Sequence, residues 1–185
     1  MNESPSPSTD DSVSFLMSGP ERKAVITFDE MFFLYARSAA ARSKDPRSQC
    51  GACIVKNRHV VGIGYNGFTK GVPDYERVWA TKMKYQFVEH AERNAIHNAD
   101  RGKLAGSSLY LWTSRNYPTC PDCAKAIVQN GIVEVHLPFV PEAMNAEGLH
   151  WDVVAEIFRC ASVSVIWNSI DLNGVMKRIM EWRPA

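Results

Sequence analysis

No stretch of this 185-residue chain approaches the roughly 20 consecutive apolar residues that a membrane-spanning helix needs. Its first residues also lack a basic-then-apolar leader, so a cytoplasmic protein with no membrane association is expected. Neither sign of charge is in surplus: 21 Lys and Arg meet 20 Asp and Glu, for a net charge of +1. That balance gives no general pull toward nucleic acid, and no nucleic-acid partner is expected. The five cysteines are an odd number, which fits reduced thiols better than a disulfide framework. Residues 1–23 show no periodic apolar pattern and are rich in Ser, Pro and Asp. They read as a disordered N-terminal extension. The chain as a whole is 45% hydrophobic, enough for one well-buried domain, expected over 24–168.

Within that domain the apolar pattern alternates between helix and strand. Met31, Phe32, Leu34, Tyr35 and Ala39 recur at helical spacing, predicting a helix from Phe28 to Ala41 that Lys44-Asp45-Pro46 stops. Cys50–Val55 and Val60–Tyr65 are short β-rich runs around Lys56-Asn57-Arg58-His59, a hairpin pattern. Helix is expected over Tyr75–Phe87 and again over Glu89–Asn98. Strands at 107–112, 133–137 and 163–167 alternate with helices after Cys120 and over Trp151–Cys160. Strand, helix, strand with a short crossover implies parallel neighbours. The whole predicts a three-layer α/β/α sandwich around a mixed sheet of about five strands. Residues 169–185 are expected to end the chain in a helix with Leu172, Val175, Met176 and Ile179 on one stripe.

Two segments carry chemistry: Val88-Glu89-His90-Ala91-Glu92-Arg93-Asn94-Ala95-Ile96 and Pro118-Thr119-Cys120-Pro121-Asp122-Cys123. One imidazole and two thiolates are good zinc ligands, and three protein ligands leave a position open, as in catalytic sites. Pro121 suits the first helical position, so Cys120 and Cys123 fall one turn apart at a helix start. His90 sits in the first turn of the other helix, and Glu92 is close enough to reach a water beside the metal without ligating it.

Together these segments form the His-x-Glu…Cys-x-x-Cys signature of zinc deaminases. The chain further resembles the deoxycytidylate deaminases of the cytidine deaminase superfamily. The likeness runs from Phe28 to Trp167 through Ser43-Lys44-Asp45-Pro46, Gly51-Ala52-Cys53-Ile54-Val55, Gly62-Ile63-Gly64-Tyr65-Asn66-Gly67-Phe68 and Gly71-Val72-Pro73-Asp74. The resemblance implies zinc held by His90, Cys120 and Cys123, with Glu92 as proton shuttle. It implies hydrolysis of dCMP, a small-molecule nucleotide, to dUMP and ammonia. Asn66 matches a substrate-loop asparagine near the sugar, Arg47 falls where some relatives contact phosphate, and Ala91 is grouped with the substrate contacts. A homo-oligomer is expected. One departure stands out: Thr119 intervenes where the family places Pro directly before the first metal-ligating Cys, and Thr113–Tyr117 lengthens the preceding link. Arg115 in that link is a further candidate phosphate contact. Residues 75–89 hold no Cys or His, so a second structural zinc, found in some phage relatives, is not expected.

Three rival readings remain at this stage. A structural zinc module could use Cys50 and Cys53 with Cys120 and Cys123, but residues three apart on a strand face opposite sides. A nucleic-acid-editing deaminase would want a basic, aromatic-bearing surface. The same chemistry on another aminopyrimidine or purine base, nucleoside or nucleotide stays open, as does control by nucleoside triphosphates.

Overall fold

The structure, a computed structural model, describes residues 25–138 and 150–181. The extension expected over 1–23 lies outside those residues. In chain order the elements are α1 (Phe28–Ala40), β1 (Cys50–Lys56), β2 (His59–Tyr65), β3 (Gly67–Phe68), α2 (Glu76–Trp79), α3 (Lys84–Phe87), β4 (Val88–Glu89) and α4 (Ala91–Asn98). They continue with β5 (Ser108–Thr113), α5 (Pro121–Gln129), β6 (Glu134–Leu137), α6 (Trp151–Cys160), β7 (Ser164–Trp167) and α7 (Leu172–Glu181).

Local chemistry accounts for several of these boundaries. A capping box launches α1: the Thr27 hydroxyl accepts from Glu30 N–H at 3.2 Å, and the Glu30 carboxylate accepts from Thr27 N–H at 2.7 Å. The β1–β2 hairpin turns on Asn57 and Arg58, at φ 51° and 64°, the left-handed pair that a two-residue type I′ loop demands.

The main sheet runs β2-β1-β5-β6-β7. Strand β1 is antiparallel to both β2 and β5, while β5, β6 and β7 are parallel to one another. The expected mixed five-stranded sheet with helices on both faces is therefore the observed one. Side chains on β1 and β5 alternate between two buried faces. Ala52, Ile54, Leu109 and Leu111 join the core under α4, α5 and α6. Cys53, Val55 and Tyr110 join Phe32, Phe33 and Ala36 of α1, together with Leu172 at the start of α7.

Helix α4 lies almost in contact with β2. A Cβ on Gly64 would come within 2.2 Å of Ala95 N and 2.5 Å of Ala91 O, so only glycine lets the helix settle there. The Asn94 amide donates to Tyr65 O at 2.7 Å and the Asn98 amide to Ile63 O at 3.1 Å, fastening α4 along the strand.

Two stretches differ from expectation. The helix expected over 75–87 is two four-residue pieces, α2 and α3, with Thr81 Oγ1 accepting from Met83 N–H at 3.3 Å between them. The helix expected from Glu89 starts at Ala91 instead. Val88 and Glu89 are extended because they pair antiparallel with Phe68 and Gly67, a tertiary contact that outweighs local preference. On the terminal helix, Leu172 and Val175 are buried on the domain and Arg178 pairs with Glu30, while Met176 and Ile179 stay about half exposed.

Candidate active site

His90 and Cys120 occupy equivalent places, each as the N-cap of its helix, α4 and α5. Both backbones are extended there, and neither side chain caps its own helix, so both are free to turn toward each other. Cys123 lies in the first turn of α5 and is fully buried. Both Cys120 Sγ and Cys123 Sγ lie 3.4 Å from His90 Nδ1. One ring nitrogen carries at most one hydrogen and cannot serve two sulfurs equally well. A central cation can. Zinc–nitrogen and zinc–sulfur bonds of roughly 2.0 and 2.3 Å at a tetrahedral angle hold N and S about 3.5 Å apart, close to this spacing. The donor set fits zinc, and among the described residues it is the one His/Cys/Asp/Glu group drawn together closely enough for a metal.

The charges of this cluster are strongly coupled. Hydrogen bonding from Cys123, then from His90, holds the Cys120 thiol down to about 4, against its burial. The Cys120 thiolate in turn lifts His90 to about 9, while the same neighbour and burial push Cys123 up. Glu92, in the first turn of α4, is only 5% exposed, and burial raises its carboxyl above the ordinary range. Arg93 pairs with Glu89, and Glu89 Oε1 also accepts from His90 N–H at 3.1 Å.

The candidate substrate contacts are distributed differently. Asn66 is buried, and its carboxamide accepts from Cys50 N–H and donates to Ser48 O, both at 2.8 Å. Ala91 is fully buried between His90 and Glu92. Arg47 and Arg115 are exposed, and the Arg115 guanidinium stands 5.7 Å from the centre of the Tyr117 ring. Cys50 and Cys53 do not approach the metal cluster as a pair. Cys50 faces the α4–α5 side and Cys53 faces α1, and burial lifts both thiols to about 12.

Three features escape sequence reasoning. Asp45 and Lys84 form a buried ion pair at 2.7 Å, though the sequence marks Asp45 only as part of a helix stop and of the family segment Ser43-Lys44-Asp45-Pro46, and does not single out Lys84. Arg93 meets Glu89 one turn away, a spacing that could have been noticed. Thr119 Oγ1 is fully buried and, among the described residues, has no hydrogen-bond partner in the protein.

Against known proteins, residues 26–138 match the profile of the cytidine and deoxycytidylate deaminase zinc-binding region. Human deoxycytidylate deaminase is 42% identical over 126 residues, covering 64% of this chain and 68% of that one. The fold resembles the dCMP deaminase of cyanophage S-TIM5, solved in complex with dCMP and dUMP: 26% identity, TM-score 0.55, 74% of this chain and 93% of that one. It also resembles Acinetobacter baumannii RibD, at 21% identity and TM-score 0.54 over 83% of this chain and 40% of that one, a likeness of fold alone. Matched over most of its described length by that profile, and folded like those enzymes, the chain belongs to the cytidine and deoxycytidylate deaminase family.

Proposed function

We propose that this protein is a zinc-dependent deaminase that converts dCMP and water to dUMP and ammonia. The observation that carries the reading is the convergence of His90, Cys120 and Cys123 beside the buried Glu92, in a chain related to deoxycytidylate deaminases. Zinc in that donor set would act as a Lewis acid that brings a water's pKa to about 7.

The chain's own residues supply the rest. The Glu92 carboxylate takes a proton from the attacking water. As a carboxylic acid it delivers that proton to the ring nitrogen of cytosine, and in a second transfer it moves the remaining proton of the hydroxyl added at C4 to the departing amine. Water adds at C4, the C4–N bond breaks, and the proton count closes on dUMP and ammonia. A carboxyl lifted by burial is suited to working as base and acid in turn. Ala91 and Asn66 are assigned to the base and sugar, and the exposed Arg47 and Arg115 to the 5′-phosphate. The catalytic unit is taken as 24–168 with α7 appended, acting as a cytoplasmic homo-oligomer on a free nucleotide. Among the described residues, no helix is long and apolar enough to cross a membrane.

An ammonia-release assay over dCMP, CMP, deoxycytidine, cytosine and guanine tests the substrate. Turnover is expected on dCMP well above deoxycytidine. Equal turnover with and without the phosphate, or activity on a free base alone, defeats this assignment.

A further inference from the structure

Beyond the metal cluster, one pair of opposite charges is held out of water without a part in the reaction just described. Asp45 and Lys84 are 6% and 3% exposed. The Lys84 ammonium donates to both carboxylate oxygens, at 2.8 Å and 2.7 Å. The same Oδ1 accepts the backbone N–H groups of Arg47 at 2.8 Å and Ser48 at 3.2 Å. A buried ion pair is a poor source of stability, because apolar residues of similar volume often do as well or better. Its explanation lies in what it joins.

On one side is the turn before β1. Asp45 gathers the amides of Arg47 and Ser48, Ser48 O accepts from the Asn66 amide, and Asn66 Oδ1 accepts from Cys50 N–H. On the other side is α3, which runs through β4 directly into His90. The Cys50 thiol, 3.6 Å from Ser48 Oγ, lies in the fields of Glu92, Asp45 and Lys84 together. The pair thus ties the turn that carries Arg47 and holds Asn66 by hydrogen bonds to the segment that delivers the imidazole.

We infer that Asp45 and Lys84 are positioning residues for the substrate: their ion pair locks the 45–50 turn against α3 and so sets Asn66 and Arg47 relative to Glu92. The inference rests on the assignment of Asn66 and Arg47 as substrate contacts.

The test compares wild type with Lys84→Met and with the double variant Asp45→Asn/Lys84→Met. Lys84→Met alone strands a buried carboxylate and should lower Tm sharply. The double variant leaves no buried charge and keeps an amide oxygen for the Arg47 and Ser48 N–H groups, so Tm and zinc content should return close to wild type. Its KM for dCMP should nevertheless rise about tenfold or more, the scale of one loosened charge-assisted contact, with kcat within about threefold. In the zinc-loaded protein, amide exchange at Cys50 and Asn66 should be about tenfold faster, while exchange at Leu109–Leu111 stays unchanged. A double variant with wild-type KM and wild-type exchange overturns the inference, and so does one that loses kcat at constant KM. If the double variant does not fold, Lys84→Gln, which retains an N–H donor, carries the same KM and exchange measurements. A wild type indifferent to the phosphate defeats the dCMP reading but not this one. The KM comparison then moves to the panel substrate that wild type does deaminate, and the exchange measurement needs no substrate.

Discussion

Glu92 is a carboxyl placed two positions from an imidazole, outside the His90–Cys120–Cys123 donor group, and buried so that its protonated form is favoured. Its contribution is separable from metal binding. Glu92→Gln should keep fold and zinc while turnover falls by roughly 10²–10⁴-fold, the range for a lost general acid–base group. Zinc content and ammonia release measured on one preparation decide the matter, and a fully loaded variant of near-normal rate refutes the assignment. The cysteines divide just as sharply. Cys120→Ala should lose both metal and activity, whereas Cys50→Ala and Cys53→Ala should retain zinc, because those two thiols face opposite sides of the sheet. Metal analysis of the three purified variants checks this. At this scale the metal cluster was legible because short spacings and the helix-start residue Pro121 fix where those side chains go. The Asp45–Lys84 pair was not, since nothing local marks a lysine that will be buried by a partner 39 positions away. Thr119 stood out in sequence as a departure, but its stranded hydroxyl is visible only in the fold.

Among elements, α4 has little freedom, because it follows His90, carries Glu92 and rests on the bare backbone of β2. Gly64→Ala must push Ala91 and Ala95 away, since its Cβ would sit 2.2 Å from Ala95 N. Overpacking of this kind costs about 1–3 kcal/mol. Because the displaced helix also holds Glu92, the carboxyl proposed as catalytic, activity should fall further than stability alone explains. Denaturant midpoints and kcat measured together would show it, and an unaffected kcat would mean that β2 yields instead of α4. The antiparallel hairpin and the parallel direction of the later strands were legible at this scale because strand–helix–strand alternation leaves few connections open, whereas the placing of β1 between β2 and β5 was not. The 75–89 stretch was not. Its residues suit a helix, yet Val88 and Glu89 are drawn into a ribbon with Gly67 and Phe68, a pairing set by residues some twenty positions earlier.

For the molecule as a whole, stability should respond both to metal and to acid. Zinc that binds the folded state alone stabilises it by mass action, so chelation should lower Tm in wild type and in Glu92→Gln alike, but not in Cys120→Ala. Scanning calorimetry with and without chelator checks this, and an unmoved wild-type Tm would argue against a folded-state metal. The acid response has a defined contributor in the parallel pair Ser108↔Glu134. The Ser108 hydroxyl donates to Glu134 at 2.6 Å and, with His136 and against partial burial, holds its carboxyl below the ordinary 4.5. A lowered carboxyl stabilises the fold above its unfolded pKa, and that stabilisation is lost as pH falls through its folded value. Ser108→Ala should therefore be less stable than wild type at neutral pH, and the gap should close below about pH 4.5. Urea midpoints between pH 3 and 7 measure it, and a gap independent of pH would mean that the hydroxyl acts through packing alone.

The two asparagines of α4 have a consequence for solubility. Strand β2 ends the sheet, and the backbone bond from Asn66 to Cys50 sets a register in which Ile63 and Tyr65 turn their carbonyls away from β1. Such outward groups are where a foreign strand would dock and begin a fibril. Asn98 and Asn94 already bond both of these carbonyls, so the helix that carries the candidate site also guards the β2 edge of the sheet. Replacing both with alanine should shorten the lag before thioflavin-positive aggregates form, even at temperatures where deamination still proceeds.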